Sequence, residues 1–336
     1  METIQFLGID ISKKYFNFCL LSRERGTVWQ GKVMNTTKDI RTFFGRLRKE
    51  FNVVFSDLVV CMEHTGIYCN PLLDYLFENN IRTCVESALH IKQSLGMTRG
   101  KNDIVDAERI ARYAHKNREE LKFWKPEREV IQRIKNLLTV RDRLVKMRSQ
   151  AQVPLMEAKG FTEKRFRVKM AAMCKGTISA LTRDILKVEK EIRILIKTDQ
   201  QVSTMVAYAK SVPGVGEITA INVVIASGEF KRITDVKKFA CYAGVAPFEH
   251  RSGSSYRGKT RVSKMGNKGI KRLLHLAAMA AVKSKSDIKE FYQRKLAQGK
   301  NKMSAINAVR NKLISRIYAC IKNERMYQKI YQPQLV

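Results

Sequence analysis

Long hydrophobic runs are missing from this sequence. No stretch of about 18 uninterrupted apolar residues occurs, which excludes a membrane-spanning helix. The opening METIQFLGIDIS has no positive stretch followed by a long apolar run, so no secretory signal is expected. Cysteines are few and uneven: seven, at Cys19, Cys61, Cys69, Cys84, Cys174, Cys241 and Cys320. They form neither a disulfide framework nor a zinc-spaced CxxC pair. These absences predict a cytoplasmic location with reduced thiols. Internal repeats and low-complexity segments are also lacking. Acidic residues are scarce, with 31 Asp+Glu against 64 Lys+Arg, leaving a net charge of +33 on 336 residues.

What is present supports folded bodies rather than a basic tail. Hydrophobic residues make up 44%, and at about 150 residues per domain the length suggests two domains, or two plus a connector. The positive charge is spread along the chain. Such a field concentrates polyanions, and each phosphate contact gains from counterion release. Nucleic acid is therefore the expected partner, with a basic ribosomal or chromatin-like scaffold as the alternative on charge alone.

The first stretch reads as α/β. Ile4–Ile9, Tyr15–Leu20 and Val28–Met34 read as three strands joined by short turns. Lys38–Phe51 has apolar residues at helical spacing, Leu58–Cys61 reads as a buried strand, Pro71–Phe77 as a helix and Ile81–Val85 as a strand. Asp103–His115 closes the segment as a helix. That order is the order of an RNase H-like sheet. From about Val130 the pattern turns helical, and Ile178, Leu181, Ile185, Val188, Ile192 and Leu195 step as a heptad seam. This fits either an intermolecular coiled coil or an amphipathic hairpin within one chain. The last third contains a helix over Glu217–Ala226, then Phe239–Val245, a basic Gly/Ser-rich loop from His250 to Gly269, an Ala/Leu-rich helix Ile270–Val282 and a basic helical tail.

Four carboxylates are placed for chemistry. Asp10 ends the first strand in GIDIS, Glu63 follows the fourth in MEHTG, and Asp103 and Asp106 share one face of a helix in KNDIVDA. In an RNase H-like sheet these positions converge. Four such oxygens repel unless divalent cations neutralise them, and Mg²⁺ suits hard oxygen donors. Taken singly, each acid has an ordinary structural reading as a turn residue, a helix cap or a first-turn acid.

Two further features suit nucleic acid. VPGVGEITA, with Gly214 and Gly216, has the form of a helix-hairpin-helix turn, whose glycines and helix N-terminus can approach a phosphate. The alternative is an ordinary helix-start turn. In HRSGSSYRGKTRVSK, Arg251, Arg257, Lys259, Arg261 and Lys264 can clamp phosphates, and three serines and a tyrosine offer hydroxyls. Residues alone leave that loop a phosphate-binding element without chemistry.

Taken together, GIDISK, MEHTGIY and KNDIVDA resemble the N-terminal RuvC-like blocks of the DEDD insertion-sequence transposases. VPGVGEITA, FACYAGVAP and RSGSSYRGKTRVSKMGNKGIKRLL resemble the C-terminal transposase domain of that family, which includes Piv-type DNA invertases and bridge-RNA-guided serine recombinases. The resemblance spans nearly the whole chain. It implies a RuvC-like catalytic domain over residues 1–118, a coiled-coil connector for oligomerisation over 119–200, and over 201–336 a mainly helical transposase domain with the helix-hairpin-helix-like turn. The acidic quartet carries over to Asp10, Glu63, Asp103 and Asp106, holding Mg²⁺ or Mn²⁺. The nucleophilic serine carries over to Ser252, with Ser255 and then Ser254 as alternatives. The implied activity is cutting and rejoining double-stranded DNA at element ends and target through a phosphoserine link and a Holliday junction. A bridge RNA as guide, a homo-oligomer (dimer or tetramer) combining metal site and serine from different chains, and association with the nucleoid also follow from the resemblance. Without it, a hydrolytic RuvC-like nuclease such as a junction resolvase, or a non-enzymatic architectural nucleic-acid binder, fits the same residues.

Overall fold

The computed structural model describes residues 5–22, 26–94, 103–252 and 256–329; the side chains at 103, 250–252, 256, 257 and 259 lie outside that description. The chain divides into two compact units, Met1–Glu127 and Arg128–Val336.

The first unit is built on a five-stranded sheet in the order β3-β2-β1-β4-β5. Its strands are β1 (Gln5–Ile11), β2 (Tyr15–Ser22), β3 (Gly26–Met34), β4 (Leu58–Glu63) and β5 (Arg82–Glu86). The first three pair antiparallel, whereas β1, β4 and β5 run parallel, so the sheet is mixed. Strand side chains alternate between faces, and the sequence fills both. Leu7, Ile9 and Ile11 of β1 and Val60 and Met62 of β4 share one core with Ile40, Phe43, Phe44 and Leu47 of α1 (Thr37–Glu50). Leu72, Leu73 and Leu76 of α2 (Asn70–Glu78) complete that layer. The opposite face carries Phe6, Val59, Cys61 and Cys84, which pack with Ala107, Ile110, Ala111 and Ala114 of α4 (Asp103–Lys116). A short α3 (Ala88–Ser94) precedes α4.

Gly8 sets how closely α4 lies on the sheet. A Cβ at Gly8 would stand 2.2 Å from the Ala107 carbonyl oxygen and 2.3 Å from the Ala111 amide nitrogen. The helix backbone therefore occupies the space any side chain would need, which is the usual meaning of a glycine inside a strand.

The second unit begins with two long helices, α5 (Glu129–Glu157) and α6 (Lys164–Lys197). They pack as a hairpin, cross-tied by Arg141 Nε donating to Glu189 Oε1 at 2.7 Å. Every residue of the heptad seam is buried or half-buried, with Ile185 and Ile192 fully so. Among the described residues six further helices follow, α7 (Gln200–Lys210), α8 (Glu217–Ala226), α9 (Val236–Tyr242), α10 (Lys268–Lys283), α11 (Asp287–Ala297) and α12 (Lys302–Lys322), around one core that includes Ile221, Val224, Phe239, Leu274, Leu313 and Ile314.

One expectation is corrected here. The segment expected as a basic loop from His250 contains a β-hairpin, β6 (Pro247–Ser252) with β7 (Tyr256–Val262). Glycine and serine masked the strand signal, yet Phe248, Tyr256, Thr260 and Val262 are strand-favouring residues on the two arms.

Candidate active site

Strand parity puts Asp10 and Glu63 on the α4 side of the sheet. Asp10 follows Phe6 and Gly8 by twos along β1, and Glu63 follows Val59 and Cys61 along β4. The parallel β1–β4 register runs to Ile9 opposite Met62, so Asp10 and Glu63 are the next residues on neighbouring strands. Helix α4 brings Asp106 to the same end, one residue before the Ala107 that rests on Gly8. Glu63 is half-buried, and its carboxyl is held above the usual range, first by burial and second by the negative charge of Asp106. Asp106 in turn accepts from Arg109 Nη1 through Oδ1 at 2.7 Å. Asp103 starts α4, and its side chain lies outside the described residues.

Among the described residues, no three Asp, Glu, His or Cys side chains gather closely enough to hold a metal ion. The donor chemistry nevertheless fits a hard divalent cation. A carboxylate whose ionisation is opposed by burial and a neighbouring acid, as at Glu63, is what a cation relieves.

A residue that sequence reasoning missed lies beside them. Glu86 ends β5 directly opposite Glu63 in the parallel register. Its Oε2 accepts from the Tyr113 hydroxyl at 3.2 Å, and its Oε1 faces His90 Nδ1 at 3.1 Å. Tyr113 sits on α4 two turns beyond Asp106, so this bond ties the far part of the helix to the sheet edge. A carboxylate closing a buried strand, as Glu63 does, was the available signal.

In the second unit, Ser252 is the last residue of β6, opposite Tyr256, and Arg251 stands opposite Arg257 in backbone register. Ser254 and Ser255 lie outside the described residues. Lys259 and Arg261 belong to β7, and Lys264 follows it in the turn before α10. At the root of the hairpin a cavity of ≈ 570 Å³ is lined by Tyr242, Phe248, Arg261 and Asn267 among others. Asn267 holds that root together. Its amide donates to the Tyr242 carbonyl at 2.7 Å, its Nδ2 to the Tyr242 hydroxyl at 2.9 Å, and its Oδ1 caps α10 by accepting from Ile270 N at 3.0 Å.

The two glycines of the turn before α8 differ. Gly214 has φ +82°, and a Cβ there would lie 2.4 Å from the Ala277 carbonyl oxygen of α10. Its smallness is required by backbone conformation and packing. Gly216 caps α8 at φ −76°, is exposed, and faces open space.

Residues 206–293 match the Transposase IS116/IS110/IS902 family, and residues 7–158 match the DEDD transposase domain of IS110. The chain carries the transposase domains of the IS110/IS116 family. It is 24% identical to the pilin gene-inverting protein of Moraxella bovis, over 96% of this chain and 98% of that protein. It is 28% identical to the transposase for insertion sequence element IS1111A of Coxiella burnetii, over 98% of this chain and 92% of that one. The first family match contains the described hairpin and the Gly214 turn, and the second contains the sheet from Leu7 onward with Asp10, Glu63, Asp103 and Asp106. Among the described residues, no helix is long and apolar enough to cross a membrane.

Proposed function

We propose that this chain is the transposase or site-specific recombinase of an insertion element, acting on double-stranded DNA through Ser252 and the carboxylates Asp10, Glu63, Asp103 and Asp106. The observation that carries the reading is the opposed pair Glu63 and Asp106 at the end of the central parallel strands, in a chain of net charge +33. A protein rich in cations that holds half-buried acids together is arranged to bind a cation there and a polyanion elsewhere. The strand order β3-β2-β1-β4-β5, with α4 across β1 and β4, supports an RNase H-like, RuvC-like assignment.

Mg²⁺ or Mn²⁺ held by the four carboxylates would supply positive charge against a scissile phosphate. The residues of the chain do the rest. The Ser252 oxygen attacks phosphorus, its proton passing to solvent; the bond to the 3′ oxygen breaks, and that oxygen takes up a proton. The product is a phosphoserine ester and a free 3′-hydroxyl, which attack by a new 3′-hydroxyl reverses without ATP. Arg251 and Arg257, opposed in register, together with Lys259, Arg261 and Lys264, stabilise charge on the phosphate. Gly216 lets the start of α8 approach a DNA backbone, while Gly214 shapes the turn. The family resemblance adds a bridge RNA as guide and a dimer or tetramer organised through α5 and α6, in the cytoplasm at the nucleoid.

The test is to trap the protein on labelled donor DNA with Mg²⁺. Wild type forms a covalent adduct and Ser252→Ala does not. Cleavage that persists in Ser252→Ala, with no adduct in wild type, replaces this reading with water-driven hydrolysis. Asp10→Ala leaving every DNA transaction unchanged favours an architectural binder instead.

A further inference from the structure

A second cleft of the helical unit has no part in the chemistry above. It has a volume of ≈ 450 Å³ and lies between α5, one face of α8 and the start of α10. Its lining includes Lys135, Arg141, Arg143, Lys146, Arg232 and Arg272, against a single carboxylate, Asp142. We propose that this cleft is a separate binding site for the sugar–phosphate backbone of duplex DNA, which it grips next to the hairpin that bears Ser252.

Four of these six cations are held in place by contacts within the fold. Asp142 accepts from Arg272 at 2.5 Å and pairs with Lys146 at 3.4 Å, so one acid ties the α5 wall to the α10 wall. Arg141 is held by Glu189, and Arg232 donates to the Ala226 carbonyl at 3.0 Å. Charges already positioned lose less entropy when a phosphate arrives. The α10 N-terminus adds the positive end of a 16-residue helix.

Scale agrees with a backbone. Lys135 to Lys146 covers 11 helical steps on α5, about 17 Å at about 1.5 Å each. One DNA strand places a phosphate every ~3.4 Å along the duplex axis, so about five nucleotides pass the cleft. Six of the lining side chains are cations, which bind phosphates without reading sequence.

Duplex DNA, rather than RNA, is the chosen occupant because of continuity. Tyr242 and Asn267 line both this cleft and the cavity at the root of the β6–β7 hairpin. A strand bound at the hairpin root thus continues into the cationic cleft. This choice rests on the proposal that Ser252 acts on DNA.

The experiment measures equilibrium binding of the full chain to a labelled duplex and to an RNA of equal length across a salt series. Arg143→Ala/Lys146→Ala removes two exposed cleft cations from a helix that tolerates alanine. Lys164→Ala/Lys169→Ala removes the same charge from exposed positions on α6. Each lost phosphate contact lowers the salt slope by about 0.9, so the cleft pair weakens duplex binding roughly 60-fold at about 0.1 M salt and lowers the slope by about 1.8. The α6 pair changes affinity by less than about threefold, since no defined contact is removed. Equal losses in both double variants, or a loss confined to RNA, overturn the proposal. A wild-type chain that binds no duplex at all would instead overturn the recombinase reading.

Discussion

In the first unit α4 lies on Gly8 of β1, with Ala107 and Ala111 against it; in the second, α10 lies on Gly214 before α8, with Ala277 and Ala281 against it. Both units bring a helix into contact with backbone by pairing glycine with alanines. They differ in what the contact positions. On the sheet it sets half-buried acids side by side, so Glu63 ionises reluctantly. In the helical unit it orders the start of α8 near cations whose acids already hold them in place. One contact concentrates like charge, whereas the other distributes opposite charge.

Replacing the opposed acids breaks the comparison most sharply. Asp106→Asn should cut DNA cleavage at least about a thousandfold, as expected when several kcal/mol of charge stabilisation is lost. The same change should leave stability within about 1 kcal/mol, because it removes both a half-exposed ion pair and the charge that opposes Glu63. Cleavage rates and thermal melting measured together test this; equal loss in both would mean that Asp106 is structural. The glycines come next. Gly214→Ala combines left-handed strain of roughly 1–2 kcal/mol with overpacking of about 1–3 kcal/mol, so a loss near 3 kcal/mol is expected in denaturant unfolding. Gly8→Ala should lose about 1–3 kcal/mol by overpacking alone, and should also lower cleavage by moving α4.

Gly216→Ala sharpens the contrast. With an ordinary φ and open space it should cost below about 1 kcal/mol, while duplex affinity falls if α8 meets a phosphate there. Unfolding that matches Gly214→Ala would remove the distinction between the two glycines. The smallest effect concerns His275, whose Nδ1 accepts from Arg310 Nη2 at 2.6 Å. Burial first, and the Arg310 charge second, hold its imidazole below the usual value of 6.5. The unfolded chain therefore takes up this proton before the folded one. The contribution to stability is complete above pH 6.5 and is lost as pH falls below it. His275→Gln should flatten the melting curve's decline on that acidic side, and an unchanged decline would show that the pair does not titrate on unfolding.

Much of the sheet was legible because alternation and helical spacing are local. The five strands and the α1, α2 and α4 helices lie where periodicity puts them, with ends shifted by a few residues. The positions of Asp10, Glu63 and Asp106 could be read as strand ends and a helix face. Glu86 could be read as a strand-closing acid like Glu63, but its role comes from being opposite Glu63 and within reach of Tyr113, and both relations cross the chain. The β6–β7 hairpin was hidden for a different reason: its Gly/Ser content argues for loop, and pairing of Arg251 with Arg257 in register is a fact about two strands rather than one.

Composition and pattern by themselves determined that this chain is strongly cationic, that its acids fall at strand and helix ends, and that a sheet-forming half precedes a helical one. These depend on residue type and near neighbours. Folding decided which acids oppose one another, why Gly8 and Gly214 must lack a side chain, and which cations face one cleft. Those outcomes arise where separated segments meet at van der Waals distance, and no local spacing encodes them.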